Sequence, residues 1–128
     1  MDDPAVAIRA RLAEITGPEP GAAECALLTR LLTSYVTKTP PALERLAEML
    51  AAADVTAVRD QAHSLKGSAA NIGAAALTEL FAEMEEAARD GHLPPDTGAA
   101  VGRIRGTYER VAPVCTRIAA ELQQAAAI

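Results

Sequence analysis

Aromatic residues are scarce in this chain. Among its 128 residues there is no tryptophan, and the aromatic side chains are those of Tyr35, Phe81 and Tyr108. Half of the residues are apolar, but many of these are alanine, and no stretch alternates apolar with polar residues as a half-buried strand does. Sheets favour aromatic and β-branched side chains, whereas small apolar residues suit closely packed helices. The composition therefore predicts an all-α fold.

Positive charge is also in short supply. The sequence has 12 Lys and Arg residues against 17 Asp and Glu, so its formal net charge is −5 at pH 7. Nucleic acids and anionic membrane surfaces both need a basic face on the protein, so we expect neither as a partner. The opening MDDPAVAIRA lacks the order of a secretion signal, and no uncharged apolar run approaches the roughly 20 residues that span a bilayer. We therefore predict a cytoplasmic location.

Residues that bind metals are few and far apart. Cys25 and Cys115 have no Cys or His neighbour at the spacing of a zinc site, and the two histidines are His63 and His92. We predict no metal site, no resident cofactor, and two reduced thiols on helix faces. The length fits a single domain over residues 1–128.

Helix start and stop signals divide the chain. Asp3 and Pro4 predict the start of a first helix that ends at Gly17. Asp54 and Gly73 predict the two ends of a helix over about 54–73. Another helix is predicted over about 74–90, and the last and longest one follows the loop HLPPDTG.

Prolines predict two interruptions. The run Thr39-Pro40-Pro41 is expected to break a helix that begins near Ala22 and to start a separate one. Pro113 lies inside the last segment but off its apolar face, so a kink is expected there rather than a break. The resulting prediction is an all-α fold, a four-helix up-down bundle with one or two additional short N-terminal helices.

The stretch AHSLKGSAANIG, residues 62–73, holds the feature that most needs explaining. At 100° per residue, His63 lies about 130° from the centre of the apolar seam of its helix, and Lys66 lies on the same flank one turn on. Gly67 also lies one turn on, although glycine inside a helix costs about 1 kcal/mol relative to alanine. A histidine that faces solvent beside a costly glycine indicates a function for this turn. His92, in a loop, is interpreted as an ordinary surface residue.

These three residue types suit phosphoryl transfer. A neutral imidazole nitrogen is a good nucleophile near neutral pH. The transferring group spreads negative charge over its oxygens, so a nearby cation such as Lys66 stabilises it. Gly67 leaves room for the phosphoryl group and for the active site of a partner. The sequence has no Walker-type glycine loop, so we expect no ATP site on this chain.

The stretch AHSLKGSAANIGA closely resembles the His-x-x-Lys-Gly signature of histidine-containing phosphotransfer (HPt) domains. The resemblance extends over about residues 24–92, and the last helix resembles the family by its periodicity alone. It implies that His63 is the phosphoacceptor through Nε2, that Lys66 lies near the phosphoryl oxygens, and that Gly67 provides clearance. It also implies that Glu85 hydrogen-bonds the other imidazole nitrogen and so orients the ring.

The resemblance further implies a place in a bacterial two-component phosphorelay. The chain would accept a phosphoryl group from the aspartate of one receiver domain and pass it to another, as a carrier without kinase activity of its own. Mg²⁺ would belong to the receiver. Docking is expected over the exposed face of the signature helix, with Arg59, Ser68 and Ala70 as partner-binding residues. A monomer is the expected state.

Three alternatives stay open. One is that the chain is the amino-terminal phosphotransfer domain of a chemotaxis-type histidine kinase, which a glutamate at position 85 slightly favours. Another is that it is a helical interaction scaffold that is never phosphorylated. A hydrolase with His63 as general base is disfavoured, because the sequence shows no Ser or Cys nucleophile with an orienting partner and a histidine on a convex helix has no pocket.

Overall fold

The computed structural model describes residues 3–127 and confirms the all-α prediction. Within that range there are five helices and no strand: α1 (Pro4–Thr16), α2 (Ala22–Ala51), α3 (Val55–Ile72), α4 (Ala75–Arg89) and α5 (Thr97–Ala127). The bounds of α3 and α4 agree with the ranges expected from the sequence. No helix among the described residues is long and apolar enough to cross a membrane.

Local signals set the helix ends as expected. Asp3 caps α1 by accepting a hydrogen bond from the Ala5 amide, and Asp54 caps α3 by accepting one from the Ala57 amide at 3.1 Å. Both carboxylates satisfy amides that a helix start leaves unpaired. Gly73 ends α3 in the left-handed conformation, with φ of 78°. An L-residue with a side chain rarely adopts this conformation, which explains the glycine.

The predicted break at Pro40-Pro41 is wrong, because α2 runs through both prolines. Pro40 has no amide hydrogen to donate to the carbonyl of Val36 four residues earlier. The Tyr108 hydroxyl from α5 donates to that carbonyl at 2.8 Å and replaces the missing partner. The apolar stripe of α2 is also buried on both sides of the prolines, for example at Leu32 and Leu46. Tertiary packing therefore holds the helix together where local rules would end it.

The longest helix, α5, also continues through its proline, Pro113, which is exposed. The continuity agrees with the expectation that Pro113 would not break this segment, while the kink expected there stays a prediction. The buried residues of α5 include Ile104, Val111 and Ile118, on the seam that the sequence indicated.

The helices pack around one hydrophobic core. α2 packs against α3 and α5, α4 packs against α3 and α5, and α1 contacts α3, α4 and α5. The largest fully buried side chains come from every helix, and they include Ile8, Leu32, Leu46, Phe81 and Ile118. Each such side chain stabilises the fold by roughly 1.5–3 kcal/mol relative to an exposed one. Helix α3 is therefore fixed by its buried seam, and its opposite face is left to solvent.

The N-terminal helix α1 closes tightly on the end of α3. A Cβ atom on Gly73 would lie 2.6 Å from the Cβ of Arg11 and 2.7 Å from the carbonyl oxygen of Ala7. Arg11 also donates from Nε to the Asn71 carbonyl at 3.1 Å. Gly73 thus serves two needs at once, a left-handed φ and a close approach of two backbones.

Candidate functional site

Helix α3 presents His63 to solvent. The seam residues Val58, Ala62, Leu65 and Ala69 are buried, and they fix which face of the helix points outward. The His63 side chain lies on the other face and remains 69% exposed. A reactive group there is accessible to a macromolecular partner, which a histidine in the core would not be.

Helix α4 places a carboxylate directly beside the imidazole. Oε2 of Glu85 lies 2.8 Å from Nδ1 of His63, although the two residues are 22 positions apart in the chain. The Glu85 side chain is 7% exposed, because its neighbours Met84, Phe81 and Ala88 turn this face of α4 into the bundle. The resemblance indicated Glu85, and the structure adds that its carboxylate is buried.

Cations compensate the burial of this carboxylate. The Lys66 ammonium pairs with Oε1 of Glu85. Hydrogen bonding to Lys66 holds the pKa of Glu85 below its usual range, against burial, which acts to raise it, and the His63 contact also lowers it. Glu85 is therefore ionised at neutral pH. Since an ionised carboxylate only accepts hydrogen bonds, Nδ1 of His63 is the nitrogen that carries the proton.

The second ring nitrogen is free to react. With the proton held on Nδ1, Nε2 keeps its lone pair, and no residue in the range 3–127 hydrogen-bonds it. This arrangement can orient a nucleophile, because a buried carboxylate fixes the tautomer and the ring of a side chain that is 69% exposed.

Gly67 stands in open space. A Cβ atom built there would have no heavy atom within 4 Å. The glycine is therefore not required by packing inside this chain, and it lies in ordinary helix, away from any turn. This separates Gly67 from Gly73, six residues later, where the surrounding backbone leaves no room for a side chain.

The residues predicted to bind the partner are spread over the α3 surface. Arg59 and Ala70 are exposed, and Arg59 contacts Asp60 rather than His63. Ser68 is also exposed and faces α2, where it lines a groove. His92 is exposed in the loop after α4. The structure thus joins His63, Lys66 and Glu85 in one cluster and leaves Arg59, Ser68 and Ala70 outside it.

A groove of about 570 Å³ runs between α2 and α3 beside the histidine helix. Three cationic side chains of α2 line it, namely Arg30, Lys38 and Arg45. The α3 wall carries Ser64 and Ser68, which neighbour His63 and Gly67 in sequence. The α4 side of the chain carries carboxylates instead, at Glu79, Glu83 and Glu86. The sequence did not place the three α2 cations on one surface, because a break was expected at Pro40-Pro41, whereas α2 is continuous over Ala22–Ala51.

Arg89 is the other residue that the sequence analysis missed. It lies one turn after Glu85 on α4 and donates from a terminal guanidinium nitrogen to Oε2 of Glu85 at 3.2 Å. The spacing of four residues between a carboxylate and a cation is a known signal for a helix ion pair. Together with the prediction of Glu85, this spacing could have identified Arg89 from the sequence.

Comparisons with known proteins give a consistent result. The family model described as the Hpt domain matches residues 30–127. Among solved structures, the chain is similar to the crystal structure of histidine-containing phosphotransfer protein B from Pseudomonas aeruginosa PAO1. The TM-score is 0.65 and the sequence identity 30%, with 91% of each chain covered. A comparison with curated proteins gives no match.

Proposed function

This chain belongs to the Hpt domain family and functions in histidine phosphotransfer in two-component signalling, and we propose that His63 is the residue that carries the phosphoryl group. One observation carries the proposal: Oε2 of the buried Glu85 carboxylate lies 2.8 Å from Nδ1 of an imidazole that is 69% exposed. Because an ionised carboxylate only accepts hydrogen bonds, this contact places the ring proton on Nδ1 and leaves Nε2 free. The phosphoryl donor is the phosphorylated aspartate of a receiver domain, and a second receiver is the acceptor.

The geometry supports the following transfer step. The Nε2 lone pair attacks phosphorus and forms the N–P bond, while the P–O bond to the receiver aspartate breaks and its electron pair returns to that carboxylate. The ring keeps its proton on Nδ1 and gains positive charge as the bond forms. Glu85 accepts the hydrogen bond from that proton, and its negative charge stabilises the charged ring. In the reverse direction the phosphoryl group leaves to the aspartate of the next receiver.

Lys66 and Gly67 serve the phosphoryl group itself. The Lys66 side chain is one-third exposed and extends beside Glu85, close to the imidazole, so its ammonium lies within reach of the incoming oxygens. Gly67 keeps the surface one turn from His63 bare, and the open space around it supports that role. Mg²⁺ for the reaction belongs to the receiver, and this chain acts as a carrier without kinase activity of its own.

The Gly67→Ala variant separates the two effects attributed to this glycine, its cost to helix stability and the clearance that it gives the receiver. We expect the free energy of unfolding to be about 0.5–1 kcal/mol higher than in wild type, because alanine is the better helix former and its methyl group would contact no other heavy atom within 4 Å. We also expect phosphoryl transfer about tenfold slower, because the methyl group displaces the docked receiver. Chemical denaturation and transfer kinetics measure the two effects.

Gly106→Ala is the matched control for that experiment. Gly106 is also inside a helix with nothing within 4 Å of its Cβ position, but it lies on α5. It should gain similar stability and transfer at the wild-type rate. A Gly67→Ala protein that transfers normally would contradict the clearance role.

The groove between α2 and α3 is the proposed docking surface for the receiver. The phosphorylation site of a receiver is an acidic pocket, and Arg30, Lys38 and Arg45 offer the opposite charge beside His63 on a chain that is acidic overall. Ser68 is part of this surface. Arg59 and Ala70, on the exposed face of α3, are proposed to lie at its edge.

Reversing charge in the groove tests this surface. For Arg30→Glu/Arg45→Glu we expect the KM for the phosphorylated receiver to rise about tenfold with kcat little changed, because complementary charge acts on encounter and binding. The matched control is Arg105→Glu/Arg117→Glu, which changes the net charge equally at exposed positions of α5. Equal KM values for the two double variants would place docking elsewhere.

We propose that α2, α3, α4 and α5 form an up-down four-helix bundle with α1 as one additional short helix, which the short connections and the helix contacts support. A monomer in the cytoplasm, with no metal or cofactor of its own, fits a carrier that must expose one histidine to successive partners.

The proposed function is tested by transfer from a purified receiver. A receiver charged with labelled phosphate should pass the label to this chain within minutes, and the label should be lost in acid and kept in base, as a phosphoramidate requires. The chemotaxis-kinase alternative predicts labelling by a kinase domain with ATP and none by a charged receiver. Failure of both donors to label the chain would leave the scaffold interpretation in place of phosphotransfer.

A further inference from the structure

We propose that Arg89 is a positioning residue for phosphoryl transfer, which acts on His63 through Glu85. The proposal rests on the proposed function of His63. Arg89 does not contact the imidazole in the structure, and its contact is with the carboxylate oxygen to which the imidazole is bonded.

The two oxygens of Glu85 have different partners. Oε1 pairs with Lys66, and Oε2 accepts from both Nδ1 of His63 and the guanidinium of Arg89. Lys66 and Arg89 therefore hold the carboxylate from two helices, one on each oxygen. Together they prevent the carboxylate from rotating, so that Oε2 stays directed at Nδ1.

The two cations cannot keep equal roles during the reaction. When a phosphoryl group arrives at Nε2, its negative oxygens compete with Oε1 for the Lys66 ammonium. Arg89 lies on α4 and donates to Oε2 of Glu85 rather than to Oε1, so its hydrogen bond does not depend on the position of the Lys66 side chain. Arg89 then keeps Glu85 in place while Lys66 serves the phosphoryl group. This division requires two cations, and the structure provides two.

An ordinary surface ion pair is the competing explanation for Arg89. Exposed helix pairs at this spacing contribute little to stability, and the Arg89 side chain is 59% exposed. Its partner, however, is a carboxylate that is 7% exposed and already bonded to the reactive residue. A surface pair would have no effect on the His63 ring, so the state of that ring distinguishes the two explanations.

The experiment compares wild type with Arg89→Ala, Arg89→Lys and the control Arg117→Ala, an exposed arginine on α5. The readouts are receiver-to-His63 transfer kinetics and the ¹⁵N chemical shifts of the His63 ring nitrogens, which report the tautomer. For Arg89→Ala we expect kcat to fall five- to tenfold with KM unchanged, and the ¹⁵N shifts to show a mixture of tautomers. Arg89→Lys should restore most of both, and Arg117→Ala should match wild type.

Two results would overturn the proposal. One is wild-type kcat and an unchanged tautomer in Arg89→Ala. The other is a raised KM with an unchanged tautomer, which would mean that Arg89 contacts the receiver directly. The ¹⁵N shifts are measured on the unphosphorylated chain, so they test Arg89 even when no receiver labels the protein, and failure of the proposed function is seen separately in the wild-type labelling.

Discussion

His63→Gln is expected to take up no phosphoryl group from a charged receiver, with labelling below about 1% of wild type, because an amide nitrogen is not a nucleophile. The fold should be unaffected. The side chain is 69% exposed and its one hydrogen bond is to Glu85, so the melting temperature should change by less than about 2 °C. Phosphorylation assays and a thermal melt on the same sample check both statements.

The matched control uses the other histidine of the chain. His92 is exposed in the loop after α4 and has no place in the proposed reaction. His92→Gln should be labelled at the wild-type rate. Equal labelling of wild type and His63→Gln would mean that the phosphoryl group is carried elsewhere.

Gly73→Ala is expected to lower the free energy of unfolding by about 3 kcal/mol, and the melting temperature by about 10 °C. Part of the cost is the left-handed backbone, with φ of 78°, which costs a residue with a Cβ about 1–2 kcal/mol. The rest comes from the new methyl group, which would lie 2.6 Å from the Cβ of Arg11 and 2.7 Å from the Ala7 carbonyl oxygen. Helix α1 has to move away to admit it.

Gly91→Ala isolates the first part of that cost. Gly91 has nearly the same positive φ, 74°, but nothing lies within 4 Å of its Cβ position. It should lose only about 1 kcal/mol. If chemical denaturation gives the two variants the same loss, α1 does not pack on Gly73 as described.

Local signals were enough to predict most of the helix ends. Asp3, Asp54 and Gly73 act on amides and carbonyls within a few residues of themselves, so their effect can be read from a short window. The break at Pro40-Pro41 was wrong for the opposite reason. The partner that rescues the Val36 carbonyl is Tyr108, 72 residues away, and no local rule contains it.

In the site, too, local features could be predicted from the sequence and long-range contacts could not. His63, Lys66 and Gly67 lie within five residues on one helix, so periodicity was enough to place them on one exposed flank. Glu85 was indicated only by the resemblance. Its burial and its contact with Lys66 depend on how α4 packs on α3, whereas its contact with Arg89 lies within α4. The sequence could therefore indicate this carboxylate and the cation four residues later, but not the burial of the carboxylate or its pairing with Lys66.

The two glycines of this helical region illustrate what the structure adds. Both were predicted to matter, Gly67 for clearance and Gly73 as a stop. The structure shows that the space around Gly67 is empty and the space around Gly73 is filled by α1. Substitution to alanine is therefore expected to change stability in opposite directions at the two positions, and only Gly67 is proposed to give clearance to the partner.

We propose that Glu85 holds the Nδ1 proton while Nε2 of His63 carries the phosphoryl group. The most direct test is ³¹P and ¹⁵N NMR of the isotopically labelled chain after phosphorylation by a receiver. We predict one phosphorus signal coupled to Nε2 of His63, with the proton retained on Nδ1. A phosphorus signal coupled to Nδ1, or located on any other residue, would contradict it.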